Sequence, residues 1–409
     1  MKHQLLQEAE AMQEQLVTWR RGLHRIPETG THLPQTVTFI KNQLDAIGVA
    51  YKIHEECSCI TAELGKGEPC IMLRSDMDGL PIKEESGETF ASENGCMHAC
   101  GHDLHATVLL GAAKLLKDHE AEIEGTVKLL LQSGEETFNG AKAAIEAGVM
   151  ENPKVDAAFA MHVGSTLNHN VIIYSEYPMS SVYGFKIEYT GKGTHGSTPE
   201  QGIDPLIAGA NLCIALQELI AREISAKKEA ALTIGKFQAG SASNVIPETA
   251  VIEGTLRTFE PEIREQLIAR ITEMAEALAK AYRVKMELTV LSDVPPVKDD
   301  PAMDKEAVAS IQELDDTTKV LPLYHVMGSE DFAFFSEKVP SSYFCIGAGV
   351  EDKTKWVPHH NPKIVFNEKA LSLGAAVYAK VAMDWVKNHK ENYKESEDYK
   401  RGGKNESKE

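Results

Sequence analysis

Three histidines and a cysteine fall within eight residues in the stretch Met97-His98-Ala99-Cys100-Gly101-His102-Asp103-Leu104-His105. A single histidine or cysteine is more often packed or solvated than a ligand, but this density of thiolate and imidazole donors invites a metal ion. Further donors follow short apolar runs elsewhere. Asp76 and Asp78 follow Cys70-Ile71-Met72-Leu73-Arg74-Ser75, Glu135 and Glu136 follow Val127-Lys128-Leu129-Leu130-Leu131-Gln132, and His162 follows Ala157-Ala158-Phe159-Ala160-Met161. His359 and His360 add an imidazole pair near the C-terminal end. Two adjacent glutamates behind a buried strand would be costly without partners. A cation offsets that cost, with one carboxylate on the metal and its neighbour left to move a proton to or from a water held there.

The elements carrying these donors must bring them together. The runs 70–76, 127–132 and 157–161 read as buried strands, and between them lie helical patterns such as 102–119, with Leu104, Val108, Leu109, Ala112, Leu115 and Leu116 on one side. Residues 4–24 carry Leu5, Ala9, Met12, Leu16, Trp19 and Leu23 at helical spacing, and Pro27 with Gly30 ends that helix. Strands alternating with helices predict an α/β fold with a largely parallel sheet. In such sheets ligands bind beyond the carboxyl ends of the strands, which is where the donors fall.

From Tyr183 the texture changes to period-two alternation. A strand (185–190), a helix (204–223), two strands (232–238 and 248–257), a helix (261–282) and a strand (284–291) follow the βαββαβ order of a ferredoxin-like module. Beyond Pro295 and Pro296 the alternation of helix and strand resumes, including a strand at 342–346 and a closing helix at about 368–387. The expected organisation is a discontinuous catalytic domain (1–182 and 293–388), an inserted satellite domain (183–292) and a charged tail (389–409), either mobile or a frayed helix extension.

Composition excludes several classes of function. The 409 residues predict two or three domains at about 150 residues each. A formal charge of -19 repels a phosphate backbone, so nucleic acid is not an expected partner. No stretch has the apolar length of a membrane span, and the start is polar. Seven thinly spread cysteines form no disulfide framework and fit a reducing cytoplasm.

The stretch 97–106, preceded by Arg74-Ser75-Asp76-Met77-Asp78-Gly79-Leu80-Pro81-Ile82 and followed by Glu135-Glu136, closely resembles the M20 metallopeptidase family. Within it, the likeness is to the amidohydrolase branch of indole-acetyl-amino-acid hydrolases, hippurate hydrolases and N-acyl-amino-acid deacylases, and it runs from about Trp19 to Ala382. The resemblance implies a two-metal aminopeptidase-like α/β catalytic domain with a mixed sheet, plus an inserted ferredoxin-like dimerisation domain. It implies two divalent ions per subunit, zinc or manganese with cobalt or nickel as further options, held by Cys100, His102, Glu136, His162 and His360, with the Cys100 thiolate bridging. Glu135 is implied as the proton shuttle and Asp76 as a carboxylate orienting a ligand. Arg74 stands where many relatives have a ligating histidine.

In the satellite domain the resemblance implies that His195 of the partner subunit stabilises an oxyanion, while Asn244 and Arg257 grip the substrate carboxylate and Glu330 touches substrate. A flexible loop imidazole, a surface ion pair and a helix cap are the plainer explanations of His195, Arg257 and the Ser329-Glu330 segment. The implied activity is hydrolysis of the amide bond of N-acyl amino acids or similar small conjugates by a cytoplasmic homodimer. Alternatives are a carboxypeptidase or dipeptidase acting on short peptides, a non-catalytic metal-dependent binding protein, and, more weakly, a cysteine hydrolase using Cys100 and His102. Gln132-Ser133-Gly134-Glu135-Glu136 and the segment after His162 depart from the usual family pattern, which bears on substrate preference and leaves the ligands intact.

Overall fold

The computed structural model describes residues 2–402. Within the described residues the chain divides into two compact units, one falling in the spans 1–178, 298–324 and 334–409, the other in 179–297 and 325–333.

The first unit is built on an eight-stranded sheet, in the order Tyr51–His54, Cys59–Gly65, Thr126–Gln132, Cys70–Asp76, Ala157–Asn168, Ser341–Gly349, Val171–Ile173 and Lys319–Leu321. Its four central strands are parallel neighbours, whereas Cys59–Gly65 and Val171–Ile173 run antiparallel to theirs, so the sheet is mixed. Every residue of Cys70–Asp76, Thr126–Gln132 and Ser341–Gly349 is buried, which is why these strands read as continuous apolar runs. Strand Ala157–Asn168 extends past the expected end at 161, because its ladder with Ser341–Gly349 continues through His162 opposite Cys345 and on to Gly164 opposite Gly347. His162 therefore projects from within a strand.

Helices His102–Asp118 and Ala370–Gly402 pack against each other and against this sheet. The Tyr378 hydroxyl donates to Arg74 O (2.5 Å) and accepts from the Met161 N–H (3.0 Å), tying the long helix to two of the strands that bear the candidate site. That helix runs beyond the expected end at 387, through most of the charged segment 389–409; residues 403–409 lie outside the described residues. The expected helix over 4–24 is two, Gln4–Ala11 and Gln13–His24, interrupted at Met12. Among the described residues no helix is long and apolar enough to cross a membrane.

The second unit carries a four-stranded antiparallel sheet in the order Lys285–Val294, Val182–Thr190, Thr249–Thr258 and Ala230–Ala239. Helices Pro205–Ala215 and Pro261–Tyr282 pack on it, and Phe185, Ile187, Tyr189, Leu212, Ile252, Leu267 and Ile271 form its core. Asp204 caps the first helix by accepting from the Leu206 and Ile207 N–H groups, with Pro205 supplying a ready-made first turn. Residues 325–333 belong to this unit although the sequence places them in the catalytic part. Ser180 N–H donates to Gly328 O, and the Arg257 guanidinium donates to Met327 O and the Ser329 hydroxyl, which anchors the segment there.

Candidate metal centre

Strand Cys70–Asp76 delivers Asp76 at its end, and the chain turns immediately to present Asp78. Strand Thr126–Gln132 ends in Ser133 and Gly134, whose φ of 70° turns the chain into the short helix Glu135–Thr137. The Asp78 carboxylate accepts the backbone N–H groups of Glu135 (3.1 Å) and Glu136 (3.2 Å), so one buried carboxylate holds the paired-glutamate turn against the neighbouring strand end. The sequence marks Asp78 only as an acidic residue in the right place. Its role as a clamp depends on the adjacency of two strands 50 residues apart in the chain, of which Cys70–Asp76 and Thr126–Gln132 are parallel neighbours.

Helix His102–Asp118 begins after Gly101, whose φ is +90° and where an added Cβ would lie 2.4 Å from Val163 Cγ2. Only glycine fits both the conformation and the space. This close approach sets Cys100 beside the strand that bears His162. The Cys100 Sγ lies 3.4 Å from His162 Nε2.

Each imidazole's partners decide which ring nitrogen is available. A neutral imidazole has one N–H and one lone pair, carbonyls only accept, and backbone N–H groups only donate. His102 Nδ1 faces Asp78 O at 2.9 Å and must donate, so Nε2 is the nitrogen open to a cation, buried and without a hydrogen-bond partner. His162 Nδ1 donates to Val163 O (2.7 Å), leaving its Nε2 lone pair directed at Cys100. His105 is the reverse case. Its Nε2 accepts the Val163 N–H (2.9 Å) and its Nδ1 donates to Asp76 (2.5 Å), so both nitrogens are engaged, although its ligand atoms also fall within 4.8 Å of those of His102 and His162.

Glu136 Oε1 is a second buried atom without a hydrogen bond, 3.9 Å from His102 Nε2 and 3.3 Å from His360 Nε2. The His360 N–H donates to Ala99 O, which fixes this half-exposed residue beside Cys100. Ligand atoms of Cys100, His102 and Glu136 lie within 4.8 Å of one another, and so do those of Cys100, His162 and His359. Cys100 is common to both groups. A thiolate, imidazoles and a carboxylate gathered around one buried cysteine are a donor set that fits a late divalent cation.

The electrostatics point the same way. Burial pushes the His102 pKa down, yet Asp76, Asp78 and Glu136 outweigh it and raise it to about 10, so the surrounding carboxylates favour positive charge at this spot. Burial also works against an ionised Asp76, but His102, His105 and Arg74 hold its carboxyl well below the usual range. Arg74 is fully buried and donates to Gln132 (2.9 Å) and Asp76 (2.8 Å), which makes it a fixed counter-charge beneath the cluster. Glu135, the expected proton shuttle, is buried with Oε2 3.9 Å from His102 Nε2.

The other expected site residues belong to the second unit. His195 pairs with Val245 across a two-residue ladder, and the Gly196 N–H donates to Asn244 O (2.7 Å), so His195 and Asn244 are neighbours. The Ser197 N–H donates to His195 Nδ1 (3.1 Å), which places the proton on Nε2 and leaves an exposed N–H donor. Arg257 is partly buried and spends Nη1 on Met327 O (2.8 Å) and Ser329 (3.0 Å). Glu330 is buried, and its Oε1 accepts the Phe332 N–H (3.0 Å).

An α/β fold with thiolate, imidazole and carboxylate donors gathered at its strand ends defines a metal-dependent hydrolase class. Residues 72–384 match the peptidase family M20/M25/M40, and the chain belongs to that family. It is 35% identical over 381 residues to IAA-amino acid hydrolase ILR1-like 4 of Arabidopsis thaliana, covering 91% of this chain and 86% of that one. It is also 35% identical over 369 residues to N-acetyl-L-cysteine deacetylase of Bacillus subtilis, covering 88% and 85%. Among solved structures, the YXEP protein of Bacillus subtilis, described as a dinuclear metal binding peptidase from the M20 family, superposes with a TM-score of 0.80 at 31% identity, covering 92% of this chain and 99% of that one.

Proposed function

We propose that this protein is a metal-dependent amidohydrolase that cleaves the amide bond of N-acyl amino acids or related small conjugates, releasing a carboxylic acid and an amino acid. The observation that carries the reading is the sharing of Cys100 between two donor groups, with His102 Nε2 and His360 Nε2 lying 3.9 Å and 3.3 Å from Glu136 Oε1. Cys100, His102, Glu136, His162 and His360 would hold two divalent ions, zinc or manganese first, with cobalt and nickel compatible with the same soft and borderline donors. When bound, the ions supply Lewis acidity that favours hydroxide over water and polarises the scissile carbonyl.

The chain's own residues do the rest. Glu135 takes the proton from the attacking water and returns it to the leaving nitrogen. Asp76 holds His105 and Arg74, keeping the floor of the centre rigid. His195, held as the Nε2–H form and supplied by a second copy of the chain, donates to the oxyanion. Asn244 and Arg257 bind the carboxylate of the amino-acid portion, and Glu330 shapes that pocket through the segment Arg257 anchors.

The second unit leaves Ile207, Ile214 and Phe237 exposed on helix Pro205–Ala215 and edge strand Ala230–Ala239, which supports a homodimer formed through this unit. The buried reduced thiols support a cytoplasmic location. The test is a panel of N-acetyl, N-benzoyl and indole-acetyl amino acids and short peptides, with products identified, before and after chelation. Hydrolysis that survives complete removal of metal rejects the proposal, and cleavage confined to peptides replaces the deacylase with a peptidase.

A further inference from the structure

His359 precedes the expected ligand His360 and lies with Cys100 and His162 in one of the two donor groups that contain Cys100, which makes it a candidate ligand on proximity alone. Its ring partners argue otherwise. The Ser165 N–H donates to His359 Nε2 at 3.3 Å, so Nε2 carries the lone pair and the ring's proton sits on Nδ1. Nδ1 is the atom facing Cys100, 3.6 Å from Sγ.

The ring is fixed in this sense by its surroundings. It stacks at a tilt on His162 with centroids 4.9 Å apart and takes the edge of Phe366 at 5.8 Å. Ser165 is itself pinned, with its hydroxyl donating to Val357 O (2.9 Å) two residues before His359. The other tautomer would set the ring's only N–H against the Ser165 N–H and leave the Nδ1 lone pair facing sulfur.

We infer that His359 is a positioning residue that donates an Nδ1–H···S hydrogen bond to the Cys100 thiolate. The inference rests on the reading of Cys100 as the shared metal ligand. A donor aimed at the sulfur would draw charge from it, making the thiolate a weaker electron donor toward any cation held there and that cation more electrophilic. The same logic divides the histidine pair: His360 faces Glu136 and His359 faces the sulfur.

The test uses the full chain loaded with cobalt(II), whose sulfur-to-metal charge-transfer absorption reports on the thiolate. Withdrawing the hydrogen bond raises the filled sulfur orbitals, so H359F, which keeps a ring without a donor, is expected to move the band to longer wavelength with ion content unchanged. H359N, whose side-chain N–H reaches the position of Nδ1, is expected to keep the band near that of the unaltered protein. Thermal melts show that both variants are folded, and H359L serves as the non-donor should H359F not fold. An unmoved band in the non-donor variant makes His359 a packing residue, and loss of ions from H359N and H359F together makes it a ligand; either overturns the inference. Absence of the band from the unaltered protein instead defeats Cys100 as a ligand and removes the inference with it.

Discussion

His102 Nε2 and Glu136 Oε1 face each other across 3.9 Å, both buried and both without a hydrogen bond. Beyond ion-pair contacts with Asp76 and His360 neither atom has a hydrogen bond, and a buried polar atom left so costs on the order of 1–3 kcal/mol unless a cation sits between the two. Replacing either residue with alanine is expected to lower bound zinc or manganese, measured by elemental analysis of the purified protein. Full ion content in both variants would remove them from the ligand set.

Glu135 lies next to that pair without sharing its orphaned geometry. Glu135→Gln keeps the shape and the backbone bonds to Asp78 while abolishing the proton acceptor. Turnover is expected to fall by about 10²–10⁴-fold with ion content unchanged. Activity near that of the unaltered enzyme would take the proton-transfer role away from this residue.

Arg257 spends one nitrogen on Met327 and Ser329 and keeps the rest of its planar fork for an anion. Arg257→Lys retains the charge and loses the fork, so KM for an N-acyl amino acid is expected to rise about 10-fold or more, as for loss of a charged hydrogen bond. An analogue whose carboxylate is replaced by an amide should show little change. Equal losses on both compounds would indicate a structural role alone.

Asp304 is buried beside Asp299, and burial first, then the charges of Asp300 and Glu176, raise its pKa from 3.8 to about 7 against the opposing Ser342 hydroxyl. Between those values the folded chain keeps a proton that the unfolded chain has released. The stability this group contributes is therefore complete below about pH 3.8 and is lost as pH rises through about 7. Asp304→Asn, which cannot ionise, is expected to raise Tm at pH 8 relative to the unaltered protein and to leave it nearly unchanged at pH 4. A gain of the same size at both values would contradict the buried-acid explanation.

Ile214 is 74% exposed on helix Pro205–Ala215. A charge there should be neutral in a monomer and costly in a homodimer interface, so Ile214→Asp is expected to shift the species observed by sedimentation from dimer to monomer. An unchanged dimer would place the interface elsewhere.

Much of this was legible from residue types alone. Continuous apolar runs marked the central strands because parallel strands are buried on both faces, and the period change at Tyr183 marked the second unit because its antiparallel strands bury alternate residues. Boundaries were less legible: helix Ala370–Gly402 runs past its expected end, and so does strand Ala157–Asn168, whose ladder with Ser341–Gly349 extends it beyond what local pattern reveals.

For the candidate site, the chain itself determined which donors exist and that Gly101 must separate Cys100 from the helix bearing His102 and His105. Residue types did not rank His102 above His105 or divide His359 from His360, a choice made by the family resemblance alone, because residue type says nothing about which ring nitrogen holds the proton. Those choices fall to the Asp78 carbonyl and to the N–H groups of Val163 and Ser165, backbone atoms of distant segments that only the folded sheet brings alongside each ring.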